Sequence, residues 1–189
     1  MFAYKKKYFL IIESIKDFNI RNIKKPNKFA IIYRNLKKKE SLVELLRFKK
    51  NCFAKRIEFY VANDFKLAVA LNSGIYISAF NKSFKYNNLK RMNFKIVGSA
   101  HNIKEINQKR KQGCAYILFS KIFFVNYKPE SKPLGVNKFN CIALNKQYSL
   151  IPLGGINSSN LNKLKTVASE GIAILSELKK KPAIISRLF

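Results

Sequence analysis

Short apolar runs punctuate the chain at regular intervals: Tyr8–Ile12, Phe29–Tyr33, Ile57–Val61, Gly74–Ile77, Phe94–Val97, Ala115–Phe119, Ser149–Leu153 and Ile172–Leu175. Each is rich in Ile, Val, Phe or Tyr and nearly unbroken over about five residues, the pattern of a strand buried on both faces, as in parallel sheets. Segments of helical character separate most of them, among them "SLVELLRFKK", "DFKLAVAL", "NIKEINQKRKQ" and "SSNLNKLKTVAS". Asn102 is placed to cap the third of these and Gly113 to close it; Ser158 or Ser159 is placed to cap the fourth and Gly171 to close it. Glu13 to Lys28 carries the weakest helical pattern. Eight strands alternating with helices predict an α/β fold, a compact (β/α)8 TIM barrel with trimmed helices, although a doubly wound open sheet leaves a similar pattern.

The length of 189 residues suits one domain spanning 1–189, and no internal repeat or boundary divides it. A net charge of +28 raises the question of nucleic acid. The lysines, however, are spread from Lys5 to Lys181 through every kind of segment, and Lys, Asn, Ile, Phe and Tyr together are what AT-rich codons supply. The charge therefore predicts only weak, nonspecific binding to nucleic acid. Cys52, Cys114 and Cys141 are widely spaced and joined by one histidine, which excludes a disulfide framework and a Cys/His zinc site and fits a reducing cytoplasm. The apolar "YFLII" near the start ends at Glu13, too short for a secretory leader, and nothing approaches the roughly 20 apolar residues of a membrane span.

One motif stands out. "IPLGGINSSNLNKL" holds the only Gly-Gly pair, Gly154-Gly155, after the seventh apolar run and before a helical segment. Strand, two glycines and a capped helix together offer unhindered backbone N–H groups to a phosphate, and barrels commonly bind phosphate after strands seven and eight; a plain tight turn has the same spelling. The irregular stretch Lys121 to Phe139 follows the sixth run, where a barrel carries an active-site loop.

The stretch "GSAHNIKEINQKRKQGCAYILFSKIFFVNYK", followed by "LG", "IPLGGI" and "EGIAILSEL", resembles thiamine phosphate synthases and their relatives the thiazole tautomerases, which are short (β/α)8 barrels. The resemblance is clearest from Asn63 to Leu178. It implies that Asn63 and Asp64 of "VANDFKLA" contact pyrophosphate and magnesium, that Ser99 of "SAH" binds the pyrimidine substrate, and that Lys128 ends the loop after strand six as a catalytic cation. It further implies that Gly154, Gly155, Leu175 and Ser176 hold the thiazole phosphate. The family's Gln-x-Arg-x-Lys after strand two reads "IYRNLK" here, keeping Arg34 for pyrophosphate but placing Ile32 and Leu36 at the other two positions; Lys37 lies one residue beyond. Ser78, Ala79 and Asn81 replace a glycine, a glutamine and the second magnesium aspartate. Val125 and Tyr127 replace two phosphate-contacting threonines, and Ser120-Lys121 replaces a Gly-Pro.

The expected ligands are thus phosphorylated small molecules, with a magnesium site at Asp64 and Asn81 weakened because a neutral amide is a poorer partner than carboxylate for a hard cation. The leading reading is a divergent synthase that joins hydroxymethylpyrimidine pyrophosphate to thiazole phosphate. The alternatives are a thiazole tautomerase, in which His101 does the acid-base work, and a non-catalytic barrel that binds phosphorylated ligands or nucleic acid.

Overall fold

The computed structural model describes residues 7–17, 19–23, 26–35, 40–86, 88, 91–125, 130–144 and 149–175. Eight parallel strands close on themselves in chain order: β1 Lys7–Ile12, β2 Phe29–Tyr33, β3 Glu58–Ala62, β4 Gly74–Ile77, β5 Ile96–Ala100, β6 Tyr116–Ser120, β7 Leu150–Leu153 and β8 Gly171–Ile174. Pairing of β8 with β1, through Lys7 opposite Gly171 and Leu10 opposite Ile174, completes the circle and excludes the open sheet. The fold is a (β/α)8 barrel.

Each strand is buried on both faces because alternate residues serve two cores. Phe9, Ile11, Ala30, Ile32, Tyr60, Tyr76, Val97, Leu118, Ile151 and Ala173 fill the barrel interior. Their neighbours Tyr8, Leu10, Ile31, Phe59, Ile75, Ile117 and Ile172 face the surrounding layer. At the N-terminal rim, Glu58 receives Lys7 Nζ at 2.7 Å and the Tyr60 hydroxyl at 2.8 Å, with Lys95 paired to its other oxygen. These polar ends close the floor of the interior.

The outer layer is thin. Helix α1 (Leu42–Ala54) opens with a capping box in which Glu44 N donates to Ser41 Oγ at 3.2 Å and Ser41 N donates to Glu44 Oε2 at 2.9 Å. Further helices among the described residues are α2 (Phe65–Ala70), α3 (Ile103–Lys111) and α4 (Gly135–Ala143). As expected, Asn102 caps α3 and Gly113 follows it with φ of +76°. Between β1 and β2 the described residues make three 3-10 turns, at Ile15–Asp17, Ile20–Asn22 and Pro26–Lys28.

Two expectations are corrected. Strand β5 begins two residues later than the apolar run and continues through Gly98, Ser99 and Ala100, which hydropathy does not mark as strand. The segment after Gly154-Gly155 is a six-residue 3-10 helix, Leu161–Thr166, capped by neither serine, and Gly171 opens β8 instead of closing a helix. The cause is local competition: Asn157 Oδ1 accepts from Ser159 N at 3.0 Å and Asn160 N at 3.2 Å, while Asn160 Nδ2 donates to Gly155 O at 2.7 Å. Side chains that would have capped an α-helix are engaged in the turn before it.

Candidate functional site

The inward parity of β2, β4, β5, β6 and β8, carried two residues further, leads out of the apolar core to the mouth of the barrel. Ile32 is followed by Arg34, Tyr76 by Ser78, Val97 by Ser99 and His101, Leu118 by Ser120, and Ala173 by Leu175. Arg34, Ser78, Ser99, His101, Ser120 and Leu175 line one cavity of about 950 Å³ at the C-terminal end of the barrel, together with Asn63, Gly154 and Gly155. Of the residues singled out in the sequence, Arg34, Asn63, Ser99, His101, Gly154, Gly155 and Leu175 are brought together. Lys128, Ser176 and Lys37 lie outside the described residues.

At the base of the mouth, burial raises the pKa of Tyr76, while hydrogen bonds from Ser99 and Arg34 at its hydroxyl pull the other way. Arg34 Nε is buried with no hydrogen-bond partner among the described residues. Ile32, where the family carries glutamine, is fully buried in the barrel interior.

Asn63 and Asp64 separate. Asn63 has φ of +57°, a left-handed conformation in which asparagine is at home, and this breaks the strand parity. Its side chain stays at the mouth, where Nδ2 donates to Ser78 Oγ and Oδ1 accepts from Ser78 N at 3.0 Å and from Asn81 Nδ2 at 3.2 Å. Asp64 turns to the start of α2, where Oδ1 accepts from Leu67 N at 2.9 Å as the N-cap, and it does not line the cavity. Asn81 is also committed, since Nδ2 donates to the Tyr86 hydroxyl at 2.9 Å and Oδ1 accepts from Ser83 N at 3.1 Å.

A buried lysine holds Asn81 from below. Lys109 of α3 is fully buried, and Nζ donates to Asn81 O at 2.7 Å and to Gln112 Oε1 at 3.0 Å. Its stem runs over Gly98, where an added Cβ would lie 2.8 Å from Lys109 Cδ. Gln112 Nε2 donates to Asn81 O and Ser83 O, so α3 fixes this loop at two points.

Burial lowers the Lys109 pKa from 10.5 to about 8. Between those values the unfolded chain binds the proton and the folded chain does not, so stability contributed by this group rises with pH. The wild type is expected to gain stability relative to Lys109→Met between pH 7.5 and 10, a window that spans about 8. Urea unfolding of both proteins at each pH checks the sign.

Sequence reasoning passed over the pairing of His101 with Ser120. Ser120 Oγ lies 2.8 Å from His101 Nδ1, and Glu105 Oε2 accepts from His101 N at 2.7 Å. The imidazole is therefore tethered at the rim by its partner on β6. Tyr76, Lys121, Lys132 and Lys138 line the cavity and were also overlooked as site residues. For Tyr76 and Ser120 the two-residue strand parity was the available signal; Lys121 and Lys132 come from the irregular loop, where no period operates, and Lys138 lies on α4.

The Gly154-Gly155 turn has φ of +93° and +70°. A Cβ on Gly155 would meet the backbone of Phe123 at 2.6 and 2.7 Å, and that of Phe124, so the glycine is required by the β6 loop behind it. The helix contribution expected at this turn is absent, because a six-residue 3-10 segment follows.

The sequence profile of thiamine monophosphate synthase matches residues 20–178. The chain belongs to that family. A thiamine-phosphate synthase of Prochlorococcus marinus subsp. pastoris is 30% identical over 142 residues, covering 74% of this chain and 40% of the relative. That of Lactococcus lactis subsp. cremoris is 27% identical over 150 residues, covering 78% and 68%. The chain thus spans less than half the length of the Prochlorococcus synthases it matches. Among solved structures, a thiamine phosphate pyrophosphorylase from Pyrococcus furiosus superposes with a TM-score of 0.69 at 17% identity, covering 98% of both chains. A 3-keto-L-gulonate-6-phosphate decarboxylase from Vibrio cholerae superposes at 0.61 with 10% identity, covering 98% and 99%. These two likenesses concern the fold.

The side chains at the expected magnesium positions have protein partners in this structure. Asp64 caps a helix away from the cavity, the Asn81 oxygen faces Ser83 N, and no cluster of three His, Cys, Asp or Glu exists among the described residues.

Proposed function

We propose that the protein acts as a thiamine phosphate synthase, joining hydroxymethylpyrimidine pyrophosphate to thiazole phosphate. One observation carries this reading. Arg34, Ser99 and the Gly154-Gly155 turn, which the family resemblance assigns to the two different substrates, open into a single cavity of about 950 Å³, large enough for both.

In this reaction the thiazole nitrogen forms a bond to the pyrimidine methylene carbon while the carbon–oxygen bond to pyrophosphate breaks, and the electron pair leaves with pyrophosphate. No side-chain nucleophile is required. The contribution of the site is to hold the two reactants in line and to stabilise the leaving anion with fixed charges and dipoles in a partly dry pocket. The Arg34 guanidinium is suited to the anion, since its buried Nε has a hydrogen to donate. Ser99 and Tyr76 form the polar floor for the pyrimidine, above the apolar layer of Val97 and Leu118. Purified protein incubated with both substrates, and assayed for thiamine phosphate, tests the proposal; formation of product that depends on both substrates is expected.

The Ser120–His101 contact favours a second reading. A histidine whose Nδ1 is tethered at 2.8 Å is oriented for proton transfer, which is the work of a thiazole tautomerase. Isomerisation of the thiazole phosphate alone, without formation of thiamine phosphate, would establish that reading in place of the first.

A further inference from the structure

We propose that the mouth of the barrel holds pyrophosphate by side-chain cations alone, without a magnesium ion. The inference deepens the synthase reading and rests on it.

The described side chains at the cavity wall carry positive charge only. Arg34, Lys121, Lys132 and Lys138 line it, and no aspartate or glutamate does among the described residues. Three carboxylates near the rim, Glu40, Asp64 and Glu105, are committed to backbone or neighbouring side chains. Glu40 accepts from Ile15 N at 3.1 Å and Asn35 Nδ2 at 2.8 Å, Asp64 caps α2, and Glu105 accepts from His101 N and Asn102 Nδ2. Magnesium demands oxygen donors in near-octahedral geometry and is usually held through one or two carboxylates as well as the substrate's phosphates. Among the described residues this wall offers it no carboxylate.

The second observation is the ammonium of Lys109, 2.7 Å from Asn81 O. It fixes the Asn81 backbone, while the Asn81 side chain is held by Asn63, Tyr86 and Ser83 N, so the residue at the position where the family resemblance calls for a metal ligand is committed at both backbone and side chain.

The third concerns what has been exchanged. Relative to the family pattern, Asn81 stands in place of a carboxylate and Lys121 in place of proline. Both replacements move the local charge the same way. Lys121 lies directly beside the glycine turn, since a Cβ on Gly154 would come within 2.9 Å of Lys121 Cβ. The lost metal ligand and the gained cation are therefore parts of one change: the charge that magnesium would bring to pyrophosphate comes from side chains. Arg34 contributes a buried Nε with no partner among the described residues, and the lysines contribute ammonium groups from the β6 loop and α4.

Calorimetric titration with inorganic pyrophosphate, in EDTA and in excess magnesium, tests this. Affinity in EDTA is expected to be within about threefold of that in magnesium, a difference of less than one decade in Kd. Arg34→Lys and Lys121→Met should each weaken binding about tenfold or more, the usual scale of a hydrogen bond to a charged group. Lys132→Met and Lys138→Met alter exposed residues, so they report on the same set where folding is not at stake; together they should weaken binding and reduce its salt dependence. Asp64→Ser keeps a capping oxygen while removing the carboxylate, and it should leave affinity unchanged. Binding that requires magnesium and disappears in Asp64→Ser would overturn the inference and leave the synthase reading standing. Binding indifferent to all four cation replacements would overturn it as well. Absence of binding in both buffers would overturn the inference and the synthase reading together.

Discussion

Gly155→Val is expected to destabilise the protein by about 2–5 kcal/mol and to abolish binding of thiazole phosphate. The dihedral angle and the space both oppose it. At φ of +70° a β-branched residue is strained, and its Cβ would press into the backbone of Phe123 and Phe124. That backbone has nowhere to go. Ile122 N donates to Leu153 O at 3.0 Å, Phe123 N to Gly154 O at 3.1 Å and Gly135 N to Ile122 O at 3.0 Å, with Ile122 fully buried between them. The turn, the β6 loop and the start of α4 are one hydrogen-bonded unit, so a shift at Gly155 is transmitted to all three. Gly135→Ala supplies the control: its φ is +76°, but a Cβ there meets nothing within 4 Å. It should cost only about 1–2 kcal/mol, the dihedral penalty alone. Urea unfolding separates the two variants. Equal costs would show that the collision behind Gly155 is relieved by movement of the loop.

The second large effect distinguishes the two enzymatic readings. In a synthase, Arg34→Ala should lower kcat/KM about 100-fold or more, because a buried donor to the leaving pyrophosphate is lost where water cannot replace it. His101→Asn should then alter the rate by only a few fold. A tautomerase reverses the order: His101→Asn should lose about 100-fold, the usual contribution of a positioned acid-base group, and Arg34→Ala should matter little. Ser120→Ala refines the result, since loss of the 2.8 Å contact frees the imidazole and should shift the pH dependence of a tautomerase without moving that of a synthase. Product analysis with both substrates, followed by single-turnover rates for each variant, makes the comparison. Large losses in both variants under synthase conditions would show that the rim histidine also touches the reacting groups.

The strand order needed little more than hydropathy. Eight runs of apolar residues became eight strands, seven of them within a residue of the expected limits, because a parallel barrel buries both faces of every strand and so writes them as unbroken apolar words. The capping of α3 by Asn102 was equally visible, being set by residues three apart in sequence. The glycine pair was visible as a motif in its own right, Arg34, Ser99 and His101 followed from the family resemblance, and the barrel brings all of them to one mouth.

What the sequence could not determine depended on single dihedral angles and on contacts between distant segments. Asn63 and Asp64 are adjacent, yet φ of +57° at Asn63 sends one side chain to the cavity and the other to a helix cap, and spelling alone does not reveal that division. The pairing of Ser120 with His101 joins residues 19 apart through the juxtaposition of β5 and β6, and the Lys109 bond to Asn81 spans 28 residues through a gap left by Gly98. Local pattern thus determined which segments became strands, since burial on both faces is a property of each segment by itself. Closure of the barrel decided which side chains meet, since that depends on the register of neighbours the sequence holds far apart.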